Sequence, residues 1–243
     1  VESYVVNRLN EELHGKALLD VVKSHGLKFN QSSKSSFKNL INSVLKIPKN
    51  KEVYDLAFKN IMIKTIPVDD KKKPWEAMSF PKFSLVDLLN ESWGFDEEKD
   101  ACAFKSLVTQ SFIFIPVIKE KETRMKSGKK TKRFKSWETW RIEKSFVWKI
   151  SSDDLSRVKK EWAMAKEIVS AGVKTKKVKY GNGWRQENNL IKQSSTSVIH
   201  IRPHAKNSSD IDLPFFEKQK IKISWQSFWL NSGFVKGVIE ELG

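Results

Sequence analysis

Side chains able to do chemistry fall in a few short stretches. The first runs Asp55-Leu-Ala-Phe-Lys-Asn-Ile-Met62-Ile-Lys64-Thr-Ile-Pro-Val-Asp69 and continues to Lys73-Pro74-Trp75-Glu76. Its middle reads as a buried strand, and alternation along a strand puts positions 62 and 64 on one face. A second is Ile201-Arg202-Pro203, with His204 and Lys206 in the loop beyond. Taken alone, an arginine at a strand end reads as a salt-bridge partner. A third is Lys174-Thr-Lys176-Lys177-Val-Lys179 with Arg185 beyond it, suited to phosphates or simply to solvent. One cysteine, Cys102, and four scattered histidines make neither a disulfide nor a zinc pattern. The expected compartment is therefore reducing and cytoplasmic.

Charge narrows the partners. Forty-five Lys and Arg against 29 Asp and Glu leave a formal +16, which attracts polyanions and makes binding salt-dependent. An anionic membrane surface is less favoured, because the charge is not carried on one amphipathic helix. No apolar run spans a bilayer and no signal segment opens the chain. The first residue is Val1 rather than Met, as expected for a fragment of a longer polypeptide.

The elements that must position these residues read as alternating helices and strands. Leu9, Leu13, Ala17, Leu18, Val21 and Val22 have near-helical spacing over 7–25, and His25-Gly26 closes that helix. Ser35 or Ser36 caps a second helix carrying Phe37, Leu40, Ile41, Val44 and Leu45, stopped by Pro48. A strand at Ile61-Met62-Ile63 closes at Pro67, and a short helix lies around Leu85–Leu89. Phe112–Ile118 and Trp140–Trp148 are strands. Between them, 119–136 holds nine Lys or Arg and two Glu, a basic hairpin tip or a solvated loop. Asp153 and Asp154 start a long helix to about Ser170, ended by Gly172. A late strand covers Val198–Pro203, and a helix from Phe234 to Leu242 closes the chain. Interleaved strands and helices indicate α/β with a mixed sheet. No repeat or Gly/Ser linker divides it, so residues 1–243 are expected to form a single domain.

The first stretch resembles the MutH-like family of GATC endonucleases, which includes type II restriction enzymes for the same site. The family pattern is an Asp, six residues, then Glu-x-Lys-Thr-Ile-Pro-Val-Asp, with Pro-x-Glu after a short turn. Ile201-Arg202-Pro203, Phe228-Trp229-Leu230-Asn231 and Ile115-Pro116-Val117 agree in order, so the likeness runs from about Leu13 to Ile239. Within the family it is closest to the C-terminal half of the type II enzymes. The resemblance implies a restriction-endonuclease-like α/β fold, a mixed sheet flanked by helices, and a DNA-binding domain forming the C-terminal part of a longer enzyme.

The same resemblance implies that cutting is lost. The family's site needs an Asp and a Glu to hold a divalent metal against the phosphate, with a Lys two residues after the Glu. Asp55 and Lys64 occupy their places, but the Glu position is Met62, and a thioether is no ligand for Mg²⁺. A second family glutamate has become Lys46, whose charge would repel a cation. The family's later lysine is not clearly matched: counting back from Pro116 gives Val108, with Lys105 a helical turn away. Glu52 and Glu76 could stand in for the lost carboxylate or be ordinary surface residues. No catalytic set is intact, and this domain is expected to bind no cofactor, while the full-length enzyme would use Mg²⁺.

The reading residues persist. Arg202 falls on the recognition arginine, with Pro203, His204 and Lys206 in its loop. Lys38 falls on a family lysine near DNA. Trp229 replaces a Tyr and keeps only a donor, unless it is a core residue. Phe80 lies one residue from a minor-groove wedge, with a core role as its equal alternative. The expected partners are double-stranded DNA containing GATC and a catalytic nuclease domain in the same polypeptide. A palindromic site also makes a homodimer on DNA natural. A non-catalytic effector domain is the first reading; an active nuclease with a relocated carboxylate and a scaffold without DNA specificity are its competitors.

Overall fold

Two apolar strands in parallel register form the spine of the first half of the molecule. The structure, a computed structural model, describes residues 1–33, 35–47, 60–94, 101–126, 129–181, 183–207 and 209–243. Its elements run α1 (Glu2–Leu13), α2 (Leu18–Ser24), α3 (Ser35–Val44), β1 (Ile61–Val68), β2 (Met78–Phe83), α4 (Leu85–Asn90), α5 (Ala103–Val108) and β3 (Ser111–Ile118). They continue with β4 (Lys121–Lys126), β5 (Lys129–Phe134), a 3-10 turn (Trp137–Thr139), β6 (Arg141–Ile142), β7 (Phe146–Trp148) and α6 (Ser152–Ser170). The last are β8 (Thr175–Tyr180), β9 (Gly183–Asn188), β10 (Ile199–Pro203), α7 (Leu213–Gln219), β11 (Gln226–Leu230) and α8 (Ser232–Leu242). The α/β class with a mixed sheet is as the sequence indicated.

The chain divides into two compact units. The first takes Val1–Glu76, Gln110–Lys149 and Val235–Gly243; the second takes Ala77–Thr109 and Ile150–Phe234. Because each unit is assembled from separated segments, no linker composition marks the division.

In the first unit β1 lies parallel to β3, and β3 pairs antiparallel with β6 and β7. Every residue of β3 is buried, which explains the unbroken apolar run Phe-Ile-Phe-Ile-Pro-Val-Ile. Pro116 has no N–H for a ladder, and it sits where the partner of β3 changes from β7 (opposite 112–114) to β6 (opposite 117–118). Ile61, Ile113, Ile115 and Val117 pack with Leu9, Leu13, Leu18, Leu40 and Val44 from the three N-terminal helices. The helix expected over 7–25 is two: Gly15, at φ 71, interrupts it. The strand expected over 140–148 is likewise two short pieces, and within 119–136 β4 pairs antiparallel with β5.

The second unit is built on the antiparallel sheet β10-β11-β2, with the hairpin β8–β9 beside it as a separate ribbon. One face of that sheet is an aromatic core: Phe228 stacks on Phe83 and Phe104, and Phe80 meets Phe104 edge to face. Buried Asp212 ties two helix starts together, accepting from Ser84 Oγ (2.7 Å), Leu85 N (2.8 Å) and Phe215 N (3.2 Å). Ser84 caps α4 in a capping box with Asp87, and Asp212 caps α7.

Helix α3 stops through its own backbone. Lys46 takes φ 56, its N–H bonds to Ser43 O and the Ile47 N–H bonds to Asn42 O at 2.8 Å. A left-handed residue at this place favours glycine, and a side chain there costs about 1 kcal/mol. Lys46→Gly is therefore expected to stabilise the protein by about 1 kcal/mol, read as a higher denaturation midpoint at unchanged slope.

Candidate functional site

The strand order of the second unit brings together residues that are far apart in sequence. Arg202 pairs with Ser227 and His200 with Trp229 across β10 and β11, so all four project from one face of the sheet. Trp229 is then the diagonal neighbour of Arg202, and the guanidinium lies over its indole, 4.9 Å from the ring centre. The His204 ring stands 5.8 Å from the same indole. On the far side β2 places Lys82 opposite Ser227, so Arg202 and Lys82 flank a small buried serine in one row. Lys82 lies over Trp225 at 4.6 Å and pairs loosely with Asp210 at 3.8 Å.

Two buried carboxyl and amide groups fix the strand that carries Arg202. The Glu161 side chain of α6 accepts from the backbone N–H of Ser197 (2.5 Å), Val198 (3.2 Å) and Ile199 (2.8 Å), and from Ser197 Oγ (2.9 Å). Asn231 donates to Thr196 O and presents its Oδ1 to His200 Nδ1 at 2.6 Å. That geometry assigns the proton to Nδ1, and burial depresses the His200 pKa, so the ring is neutral at pH 7. His204 is held by its N–H to Trp225 O (2.8 Å), and the Lys206 N–H is held by Asp210.

The corner so built keeps open valences. Trp229 Nε1 and His204 Nδ1 are buried without a hydrogen-bond partner, and so is His200 Nε2. Arg202 itself is exposed and has no carboxylate partner among the described residues. The exposed guanidinium, backed by the indole, can meet a flat ligand edge carrying two acceptors, while the unpartnered indole and imidazole nitrogens lie beneath the surface.

The other sequence-selected residues separate. Pro203 is exposed at the end of β10, on the opposite side to Arg202. Phe80 is only 2% exposed and packs on Phe104, a core position that corrects the wedge expectation. Lys38 is exposed on α3, in the first unit. Lys105 is tied down in α5, its ammonium donating to Trp93 O at 3.0 Å, and Val108 is core. Sequence reading missed Glu161, His200 and Lys82, and gave Asn231 only as the end of the Phe228–Asn231 block. Glu161 and His200 are buried polar groups with no motif of their own; the alternation His200, Arg202 was the one available signal.

In the first unit Met62 stands beside Phe112 and Lys64 beside Phe114 on the face of the sheet away from the N-terminal helices. Phe112 and Phe114 pack on Trp148, so this face is aromatic. Burial pushes the Lys64 pKa down, and no described residue forms an ion pair with it. Lys46 and Glu76 are exposed. Asp55 and Glu52 lie outside the described residues, among which no three His, Cys, Asp or Glu come together as metal ligands. Among the described residues of this face, the Met62 thioether is no ligand for a hard divalent cation.

No family model matches the chain. It is similar to the type II restriction enzyme Sau3AI of Staphylococcus aureus, at 26% identity over 227 residues. The likeness covers 86% of this chain but 44% of that enzyme's length, so the chain spans less than half of its relative. The mixed α/β architecture is consistent with a restriction-endonuclease-like fold. Among the described residues no helix is long and apolar enough to cross a membrane.

Two outcomes are expected here. Glu161→Gln should destabilise the protein by about 2 kcal/mol in denaturant unfolding, because an amide cannot accept all of these N–H groups. Lys64→Met should stabilise it at pH 7. Between the depressed folded pKa and the unfolded value of 10.5 the unfolded chain binds more protons, so the parent gains stability as pH rises there. The advantage of the variant is accordingly expected to shrink as pH rises from the depressed folded pKa toward 10.5, measured by denaturant midpoints across pH.

Proposed function

We propose that this domain binds double-stranded DNA at GATC and does not cut it. The observation that carries the proposal is the Arg202–Trp229–His204 corner, where a guanidinium is held over an indole with unpaired polar atoms around it. Guanine presents two acceptors, O6 and N7, in the geometry that an arginine fork matches. Lys206, Lys82, Lys38 and the general excess of positive charge suit contacts to phosphate, which position the protein without reading sequence. Pro203 and the backbone of 203–206 complete the reading loop.

The loss of cutting rests on Met62, which supplies no anionic oxygen where the resembled family has a Glu, on a face lined by Phe112 and Phe114. Lys46, at the end of α3, adds a positive charge where the resembled family has an acid. Similarity to part of a restriction enzyme more than twice as long as the matched region fits an effector role. In it, this domain binds one copy of the site and activates or positions a nuclease domain elsewhere in the polypeptide, which would use Mg²⁺. Such coupling requires the DNA-bound domain to favour one of two states of the whole protein.

The test uses this chain with supercoiled plasmid and Mg²⁺. No nicking is expected from the chain or from Asp55→Ala. Nicking that Asp55→Ala abolishes would establish instead a metal-dependent nuclease with a relocated carboxylate. In fluorescence anisotropy at 150 mM salt, a GATC duplex is expected to bind at least tenfold more tightly than a scrambled duplex, and Arg202→Ala to erase that difference. Equal affinities for the parent would mark a scaffold without sequence preference.

A further inference from the structure

The ribbon β8–β9 belongs to no larger sheet, and among its residues Thr175–Tyr180 only Val178 is partly covered. An isolated two-stranded ribbon has little to stabilise it in water, yet this one is anchored at its root. Lys174 and Asn189 exchange hydrogen bonds, and Gln186 Nε2 donates to Lys222 O at 2.9 Å. Gly181, at φ 58, makes the tight turn at its tip.

The register gives the ribbon two unlike faces. Val178 pairs with Arg185 and Lys176 with Glu187, so these share a face with Tyr180. There Arg185 is already engaged, donating to Glu187 at 2.5 Å and lying over the Tyr180 ring at 4.8 Å. The other face carries Lys177, Lys179 and, directly opposite Lys179, Trp184. Trp184 is 72% exposed, and neither lysine has an ion-pair partner among the described residues. On one face Arg185 is paired with Glu187; the other displays two unpaired ammonium groups beside a bare indole.

From this asymmetry we infer that β8–β9 is a DNA-gripping arm whose Lys177–Lys179–Trp184 face lies along the duplex, the lysines on phosphates and the indole against sugar or a base step. The inference rests on the DNA-binding reading above and adds a second contact surface to it. The charge pattern selects a polyanion, and an exposed Trp between lysines suits the apolar groove wall between phosphate rows.

The experiment measures affinity for a GATC duplex over a range of salt concentrations, with Arg202→Ala as reference. Lys177→Ala/Lys179→Ala is expected to reduce the slope of log K against log salt by about 1.8, about 0.9 per lost phosphate contact. Trp184→Ala is expected to weaken binding about tenfold with the slope unchanged, and Lys176→Ala, on the engaged face, to leave the slope within about 0.3 of the parent. All three should keep the preference for GATC that Arg202→Ala loses. Parent-like affinity and slope for the double variant or for Trp184→Ala, with that preference intact, overturn the arm alone. If the parent itself binds no duplex, or shows no preference, the DNA-reading proposal fails first and the arm with it.

Discussion

A guanidinium can be aimed only if its strand is fixed, and here the fixing is done from underneath by a buried carboxylate. Glu161 takes the backbone N–H groups of Ser197, Val198 and Ile199 in sequence, so β10 starts at a defined height on α6. From that start the two-residue alternation of a strand determines which way Arg202 points. Pairing with β11 then places Trp229 under it. Removing the carboxylate would leave three N–H groups unsatisfied in the interior, a cost far above that of any single surface contact. The same device recurs at Asp212, where one carboxylate starts two helices.

In the first unit parallel β1 and β3 present positions 62 and 64 on one face of the sheet. With methionine at 62 and aromatic neighbours that face is hydrophobic, and Lys64 sits there at an electrostatic cost.

Much of this was legible in the sequence where one local rule dominates. The run Phe112–Ile118 could only be a buried strand, and the Ser-Asp-Asp start of the long helix is a cap with its charges in place. Arg202, His204 and Trp229 were each named from the resemblance, and the fold brings them together. Three kinds of feature escaped. The division into two units depends on which separated segments pack together, and composition does not record that. Phe80 was ambiguous because a wedge and a core aromatic are the same residue type; packing on Phe104 decides it. The two faces of β8–β9 arise from the cross-strand register, and a basic run read in one dimension does not show that Arg185 is paired while Lys177 and Lys179 share the other face.

The most direct test of the central claim replaces the guanine of GATC with 7-deazaguanine, which removes the N7 acceptor and little else. Binding by the parent is expected to weaken about tenfold, within the range for half to all of a bidentate contact, while Arg202→Ala should bind both duplexes alike. Equal losses in the parent and in Arg202→Ala, or no loss in either, would show that Arg202 does not read that base.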